Sequence, residues 1–120
     1  GNTDQPLEQT GFLRSAPPKL RQALGLMSNH LENPLLLRDI TTRIGLSIRQ
    51  TERLFAAHSG QSPKAYYRKL RMQHGRLLSE HTSMSILEIS LATGFSNRRI
   101  FNKYYRDEFG FPPSFTRRVP

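Results

Sequence analysis

The sequence predicts an all-α protein built around two helix-turn-helix units. Apolar residues recur at helical spacing through most of the chain, and no segment alternates with the period of two that strands show. Two helix-start signals, of the forms S-x-x-Q and S-x-x-E, precede helical segments. A short helix, a glycine turn and a longer helix occur twice, about 50 residues apart.

A first helix is predicted to begin near Pro17 and to end at Asn33, because Pro34 disfavours α geometry in the residue before it. Its apolar residues follow at helical spacing as far as Leu31. Residues 1–16 lack this spacing and are expected to form a linker or disordered leader. Because the chain starts with Gly and not Met, it is expected to be a cut fragment.

A short second helix is predicted to end at Gly45, and a third helix begins directly after it. Glycine readily adopts the left-handed backbone that closes a helix. Ser47 and Gln50 form an S-x-x-Q capping box, in which each side chain satisfies a backbone N–H at the helix start. These elements predict a first helix-turn-helix subdomain over 17–61.

A long linker helix is predicted over 62–80. Ser62 supplies an N-cap, and Pro63 suits the first helical position because its missing N–H has no helical partner there. One face is expected to be apolar and the opposite face basic. The apolar residues are Tyr66, Leu70, Leu77 and Leu78, and the basic ones are Lys64, Arg68 and Arg71.

A second helix-turn-helix subdomain is predicted over 81–120. Ser85 and Glu88 form another capping box, and Gly94 ends the short helix that follows. Ser96 is expected to cap the next helix, after which a proline pair predicts a short final turn. That helix is expected to bury an aromatic stripe of Ile100, Phe101, Tyr104, Tyr105 and Phe109.

The charge of the chain predicts a polyanionic partner. Lys and Arg outnumber Asp and Glu by 18 to 9, and the formal net charge is +9. Basic blocks at 45–76 and 94–120 flank an acidic segment. Cysteine is absent, which excludes disulfides, thiolate zinc sites and a cysteine nucleophile. The sequence has no catalytic motif, no metal-ligand pair among its histidines and no apolar run of membrane-spanning length, so we expect no enzyme activity, cofactor, metal or membrane.

The longer helix of each repeat carries basic and amide side chains where a recognition helix would meet DNA. The first turns of such a helix lie against base edges in the major groove. Arginine suits guanine, and glutamine or asparagine suits adenine. Matching basic faces in two repeated units favour nucleic-acid binding over general solubility. These positions are Arg49, Gln50 and Arg53, and then Arg98, Arg99 and Lys103, with Asn97, Asn102 and Arg106 on the same side.

The sequence resembles the DNA-binding domain of the AraC/XylS family of bacterial transcription regulators. The resemblance covers about residues 18–118. Its motifs are Gly-Leu-Ser at 45–47, Ser-Pro-Lys-Ala-Tyr-Tyr at 62–67, Gly-Phe-Ser at 94–96 and Phe-Gly-Phe-Pro-Pro-Ser-Phe at 109–115. The segments Gln-Thr-Glu-Arg-Leu-Phe at 50–55 and Tyr-Tyr at 66–67 look most like the subgroup with an N-terminal glutamine-amidotransferase-like domain.

The resemblance implies seven helices, with two recognition helices in successive major grooves of double-stranded promoter or operator DNA. It further implies a cytoplasmic, nucleoid-associated regulator that contacts RNA polymerase and dimerises through an N-terminal domain. Carried over by position, the residues expected at bases are Arg49, Gln50, Glu52, Arg53, Asn97, Arg98, Arg99 and Lys103. Those expected at phosphates are Ser47, Ser96, Asn102, Arg106, Arg68 and Arg71.

The sequence departs from the family pattern at four positions inside helices. Hydroxyl residues stand at Thr41 and Ser90, where the family has a small alanine, and are expected to loosen the helix crossing or to form hydrogen bonds. Thr51 replaces a leucine. Gly75 replaces an alanine in the linker helix and costs about 1 kcal/mol of helix propensity unless close packing requires it.

Two other functions fit parts of the same sequence. A non-specific nucleic-acid binder, architectural or RNA-directed, would use the charge without the repeat, and an interaction domain would bind an acidic protein. Arg68 and Arg71 could form salt bridges in place of phosphate contacts, and Glu52 could orient local charge instead of accepting from cytosine. The aromatic residues could stack on single-stranded bases, but their helical spacing favours a core.

Overall fold

The computed structural model of the protein describes residues 15–118, and all regular structure in that range is helical. The predicted all-α class with two helix-turn-helix units is therefore confirmed. Residues 1–14, most of the predicted leader, lie outside the described residues. Seven helices lie wholly within the described residues: α1 (Pro18–Ser28), α2 (Leu37–Ile44), α3 (Ile48–Ser59), α4 (Pro63–His81), α5 (Ile86–Ala92), α6 (Arg98–Phe109) and α7 (Pro113–Arg118).

Two separate cores lie at the two ends of the protein, one in each unit. The first is enclosed by α1, α2, α3 and the start of α4, and it also buries Ala16, the last residue of the predicted leader. The second lies between α4, α5 and α6, with α7 packed against α4. The buried residues of the first core are Ala16, Leu20, Ala23, Leu24, Met27, Ile40, Ile44, Phe55 and Tyr67, and those of the second are Met72, Ile89, Phe95, Phe101 and Tyr105.

The linker helix α4 contributes to both cores, and its buried face differs from the predicted one. Tyr67 is buried in the first core, whereas Met72 and Gly75 are buried in the second. Leu77, predicted on the apolar face, is 46% exposed. The prediction assumed one apolar stripe, but a helix that packs against units on two sides must bury two.

The first helix is shorter than the sequence predicts, because it ends at Ser28 and not at Asn33. Beyond its end, a side chain from α4 satisfies two backbone groups of the connection between α1 and α2. The Tyr67 hydroxyl donates to the His30 carbonyl oxygen and accepts from the Leu35 N–H at 3.0 Å. This long-range contact ties the non-helical connection to α4.

The glycine turns and the hydroxyl substitutions have the predicted local geometry. Gly45 and Gly94 both have left-handed backbone, with φ of 75° and 85°. Thr41 Oγ1 donates to the Arg38 carbonyl oxygen at 2.9 Å, and Ser90 Oγ donates in the same way within α5. The two hydroxyl groups are thus satisfied inside their own helices.

Gly75 is required by the close approach of α6 to α4. A Cβ atom at this position would lie 2.9 Å from Cε1 of Phe101, whose ring is fully buried. Helix propensity is therefore sacrificed for packing at this position. By contrast, Gly25 in α1 is exposed, and nothing lies within 4 Å of the position its Cβ would take.

We expect the substitution Gly75→Ala to lower the free energy of unfolding by about 1 to 3 kcal/mol, because the added methyl group overpacks the second core. Urea denaturation monitored by circular dichroism would measure it. The control Gly25→Ala should instead raise that free energy by about 0.5 to 1 kcal/mol through helix propensity alone. Equal effects of the two substitutions would contradict the packing explanation.

Candidate nucleic-acid interface

The outward face of α3 is basic because the buried residues of that helix occupy the opposite side. Thr51 and Phe55 are fully buried, and both point into the first unit. At 3.6 residues per turn, Arg49 and Arg53 lie about half a turn away and are exposed. Glu52 is also exposed, at the edge of this face. The structure therefore brings together three of the four residues predicted at bases in this unit.

The outward face of α6 repeats this arrangement with more charge. Phe101 and Tyr105 are fully buried, and Arg99, Lys103 and Arg106 lie exposed on the opposite side. Lys103 pairs with an acidic residue one turn on, at 3.4 Å, but both side chains are more than 60% exposed. An exposed pair of this kind is weak, so Lys103 remains available to another partner.

Gln50 is held in the cap of α3, which restricts its use as a base reader. Its Oε1 accepts from the Ser47 N–H at 2.8 Å, and Ser47 Oγ accepts from the Gln50 N–H at 3.0 Å. The predicted capping box is thus confirmed. Reading adenine requires both the oxygen and the nitrogen of the glutamine amide, so Gln50 cannot do so while the cap is intact.

In the second unit the helix cap is Asn97, and the prediction that Ser96 caps α6 is wrong. Asn97 Oδ1 accepts from the Ile100 N–H at 3.0 Å, and α6 begins at Arg98. Ser96 is an extra residue in the turn. Gly94 therefore follows Gly45 by 49 residues, whereas Asn97 follows Ser47 by 50. Asn97, predicted at a base, is therefore structurally equivalent to Ser47 and uses its oxygen in the same way.

Ile100 and Asn102 do not lie where the sequence predicts, and Ile48 is exposed as well. Ile100, placed in the aromatic stripe, is 40% exposed, and Ile48 in the first turn of α3 is 46% exposed. Sequence analysis missed both as apolar groups able to meet a thymine methyl. Asn102, predicted at a phosphate, is half-buried, and its Oδ1 is shielded without a hydrogen bond to any described residue.

Arg71 is engaged inside the protein, which corrects its prediction as a salt-bridge or phosphate residue. Its Nε donates to the Thr93 carbonyl oxygen at 2.7 Å, and its Nη2 donates to the Gly94 carbonyl oxygen at 2.9 Å. The guanidinium also lies 4.0 Å from the ring centroid of Phe95. Burial lowers the pKa of this guanidinium, and the nearby Arg68 charge acts in the same direction.

The remaining phosphate candidates differ in how freely they are presented. Arg106 is exposed on α6, and Ser96 is exposed in the turn before it. Arg98, predicted at a base, is also exposed, but it lies in the first turn of α6 away from the outward face. Arg68 is half-buried on α4, with its guanidinium 4.5 Å from the Tyr104 ring centroid. Arg68 forms no ion pair within residues 15–118, so the salt-bridge alternative does not hold for it there.

The aromatic residues belong to the protein interior and not to the interface. Phe55, Phe101 and Tyr105 are fully buried, and Phe95 is 7% exposed. Most ring pairs of the second unit pack edge to face or tilted, with the Phe95 and Phe101 centroids 5.9 Å apart, and Phe109 stacks on Phe111. These residues therefore do not form a row of exposed rings on which single-stranded bases could stack.

Other kinds of site find little support in the described residues. Among them there is no group of three or more His, Cys, Asp or Glu side chains placed to hold a metal ion. None of the described helices is both long enough and apolar enough to cross a membrane. The exposed basic faces of α3 and α6 are therefore the chemical feature that remains to be explained.

Comparison with known proteins relates the chain to transcription regulators. A family model described as a helix-turn-helix domain matches residues 40–119. The chain is 42% identical over 102 residues to the HTH-type transcriptional regulator GbdR of Pseudomonas aeruginosa, covering 85% of this chain and 28% of that protein. It is 38% identical to ArgR of the same organism, covering 94% of this chain and 34% of that one. The chain thus spans about a third of the length of the curated relatives it matches.

Solved structures show the same fold. A transcriptional regulator from Chromobacterium violaceum, described as containing an AraC-type DNA-binding domain, has a TM-score of 0.82 and 42% identity, covering 84% of this chain and 90% of that one. The DNA-binding domain of AdpA, solved in complex with a target DNA, has a TM-score of 0.79 at 20% identity. It covers 86% of this chain and 93% of its own, and this likeness is one of fold.

We expect Asn97→Ala to lower the free energy of unfolding by about 1 kcal/mol, because it removes the α6 cap. The matched change Ser96→Ala should stay within about 0.5 kcal/mol of the unchanged protein, as for a surface residue away from any cap. Thermal unfolding followed by circular dichroism compares the two directly. A larger loss of unfolding free energy for Ser96→Ala than for Asn97→Ala would show that Ser96, and not Asn97, caps α6.

Proposed function

Because the chain belongs to the AraC family of helix-turn-helix DNA-binding domains, we propose that it binds specific sequences of double-stranded DNA as part of a bacterial transcription regulator. This family is one of DNA-binding domains and not of enzymes. The observation that carries the proposal is the pair of exposed basic faces at equivalent positions of α3 and α6. Each face lies opposite a fully buried residue pair, so its orientation is fixed by the core.

The two recognition helices read bases in successive major grooves. Successive grooves on one face of DNA are about 34 Å apart, and the protein is 43 Å along its longest axis. In this arrangement Arg49 and Arg53 face bases in one groove, and Arg99 and Lys103 face bases in the next. Arginine is suited to the O6 and N7 atoms of guanine, whereas lysine acts as a point charge.

The other candidate residues take supporting roles. Arg98 and Arg106 neutralise phosphates beside the second groove, and Arg68 does so only with the part of its guanidinium that Tyr104 leaves exposed. Gln50 and Asn97 keep their caps and offer only an amide N–H₂ group to DNA. The other four predicted residues are weaker candidates. Glu52 and Ser96 are exposed, but no contact directs them toward DNA, Ser47 is engaged in the α3 cap, and Asn102 is half-buried.

The regulator as a whole extends beyond this chain, since the curated relatives are about three times as long. We propose that it works in the cytoplasm, bound to promoter DNA on the nucleoid, and contacts RNA polymerase there. Dimerisation and effector binding belong to another domain. The resemblance of this chain to the subgroup with an N-terminal glutamine-amidotransferase-like domain makes such a domain the candidate for that role.

Selection from a random duplex library at near-physiological salt tests the proposed function. We expect one enriched motif that spans two major grooves. On that motif Arg53→Ala and Arg99→Ala should each cost about 1 to 3 kcal/mol in binding, with little loss on scrambled DNA. Fluorescence anisotropy titrations give both affinities.

Arg76→Ala is the control for lost charge, because Arg76 lies on α4 and pairs with Glu80 at 3.2 Å. It should leave the ratio of the two affinities unchanged. Equal losses on both DNAs for Arg53→Ala would make Arg53 a phosphate contact. Enrichment of no motif at all would reject sequence-specific binding in favour of a non-specific binder.

A separate prediction concerns Arg106 as a phosphate contact. We expect Arg106→Ala to weaken binding to the selected motif and to scrambled DNA by the same factor. The slope of log affinity against log salt concentration should fall by about one, since one fewer counterion is released. Titrations at several salt concentrations measure this slope. A loss confined to the selected motif would make Arg106 a base reader.

A further inference from the structure

The two helix-turn-helix units meet at a junction near the middle of α4. Three segments converge there: the connection between α1 and α2, one turn of α4, and the turn between α5 and α6. We define the junction by Pro34, Tyr67, Arg71 and Gly94. None of these residues lies on the outward faces of α3 and α6, so DNA binding as described above does not explain them.

Tyr67 ties the first unit to α4. Its hydroxyl group takes part in two hydrogen bonds, donating to the His30 carbonyl oxygen and accepting from the Leu35 N–H. Both partners lie in the connection between α1 and α2, more than 30 residues away in sequence. Tyr67 is only 6% exposed, so this tie is sheltered from water.

Arg71 ties the second unit to α4, one helical turn beyond Tyr67. It donates from two different nitrogens to two successive carbonyl oxygens, those of Thr93 and Gly94. Two bonds from one planar guanidinium fix orientation as well as distance. The Phe95 ring, 4.0 Å away, supports the guanidinium from one side. A hydrogen bond from a charged donor to a partly buried acceptor is among the stronger polar contacts.

The two units also touch each other directly at Gly94. A Cβ atom at this position would lie 2.7 Å from Cγ of Pro34 and 2.9 Å from the Leu31 carbonyl oxygen. Glycine is therefore needed here for two reasons, the positive φ of the turn and the contact with the first unit. Gly94, the left-handed residue of the turn after α5, thus lies against the first unit, and Arg71 holds its carbonyl oxygen.

We propose that this junction holds the two units as one rigid body and that Arg71 is a positioning residue, which fixes the spacing between the two DNA half-sites. The inference rests on the proposed function and adds a mechanism for its selectivity. α4 packs in both cores, and the two Arg71 bonds hold to it the turn that leads into α6. That turn also touches the first unit at Pro34, so fixing the turn fixes the contact between the units.

Half-site spacing is the property that tests this inference. Each inserted base pair moves the second half-site by about 3.4 Å and rotates it by roughly 35° around the DNA axis. A rigid protein cannot follow that change without losing contacts in one groove. When two base pairs are inserted between the half-sites of the selected motif, we expect the affinity of the unchanged protein to fall by at least about tenfold, because the insertion rotates one half-site by roughly 70°.

The variant Arg71→Met removes both donors while keeping the length of the side chain. It should bind the selected motif at its original half-site spacing less tightly. The ratio of its affinities for that spacing and for altered spacings should fall several-fold. Arg71→Lys keeps the charge but cannot make both bonds in one plane, so it should behave like Arg71→Met. If Arg71 were a phosphate contact, Arg71→Lys would keep both the affinity and the spacing preference, which would overturn the inference.

Two further variants separate positioning from general stability. Arg76→Met removes an equal charge from the same helix, but Arg76 contacts Glu80 and rings of the second unit only. It should keep the spacing preference. Tyr67→Phe removes one hydroxyl group at the other tie and should flatten the preference as Arg71→Met does. Equal affinity at all half-site spacings for Arg76→Met, or an unchanged spacing preference for Tyr67→Phe, would contradict the proposed role of the junction.

A distance measurement without DNA makes the test independent of the proposed function. The chain has no cysteine, so His58→Cys and Glu108→Cys place spin labels only at the exposed ends of α3 and α6. Electron–electron double resonance should give a narrow distance distribution for this labelled protein. The distribution should broaden when Arg71→Met is added and stay narrow with Arg76→Met.

The outcomes distinguish failure of the inference from failure of the proposed function. A broad distribution in the otherwise unchanged protein, or equal binding at all spacings, would overturn the rigid junction while sequence-specific binding stands. Selection of no motif would reject the proposed function, and the distance distributions would then decide on the junction alone. A narrow distribution in Arg71→Met would show that Arg71 does not hold the units together.

Discussion

The structure depends on one helix being buried on two sides at once. α4 supplies Tyr67 to the first core and Met72 and Gly75 to the second. Each core is small, and units of this size bury too little apolar surface to be very stable by themselves. Sharing α4 gives each unit a fourth helix without lengthening the chain. It also forces the two recognition helices to keep the orientation that α4 dictates.

Local features of the fold could be predicted from the sequence because they depend on neighbouring residues. The capping boxes at Ser47 and Ser85 and the left-handed glycines need only residues within a few positions. The course of the chain between α1 and α2 could not be predicted, because it is tied to Tyr67, more than 30 residues away. The two buried faces of α4 were missed for a similar reason, since one helical stripe describes contact with one partner only.

The candidate site was predictable to within one residue of helix register. Arg49 and Arg53 lie on the outward face as expected, because the preceding turn has no extra residue. In the second unit Ser96 lengthens the turn, so Asn97 becomes the cap, and Ile100 lies 40% exposed beside the aromatic stripe. Arg71 illustrates a different limit. Nothing local distinguishes an arginine that binds two distant carbonyl oxygens from one that faces a phosphate.

The caps align the two recognition helices and show that the units differ. Matching Ser47 with Asn97 places Ala56 at the position of Arg106, and both are exposed. α3 therefore presents a small side chain where α6 presents a charge. In the proposed binding mode, α3 approaches the base edges closely while α6 depends more on phosphates. Two unlike half-sites read in one fixed order make an asymmetric site. A single chain with a rigid junction is then sufficient to orient the protein on DNA.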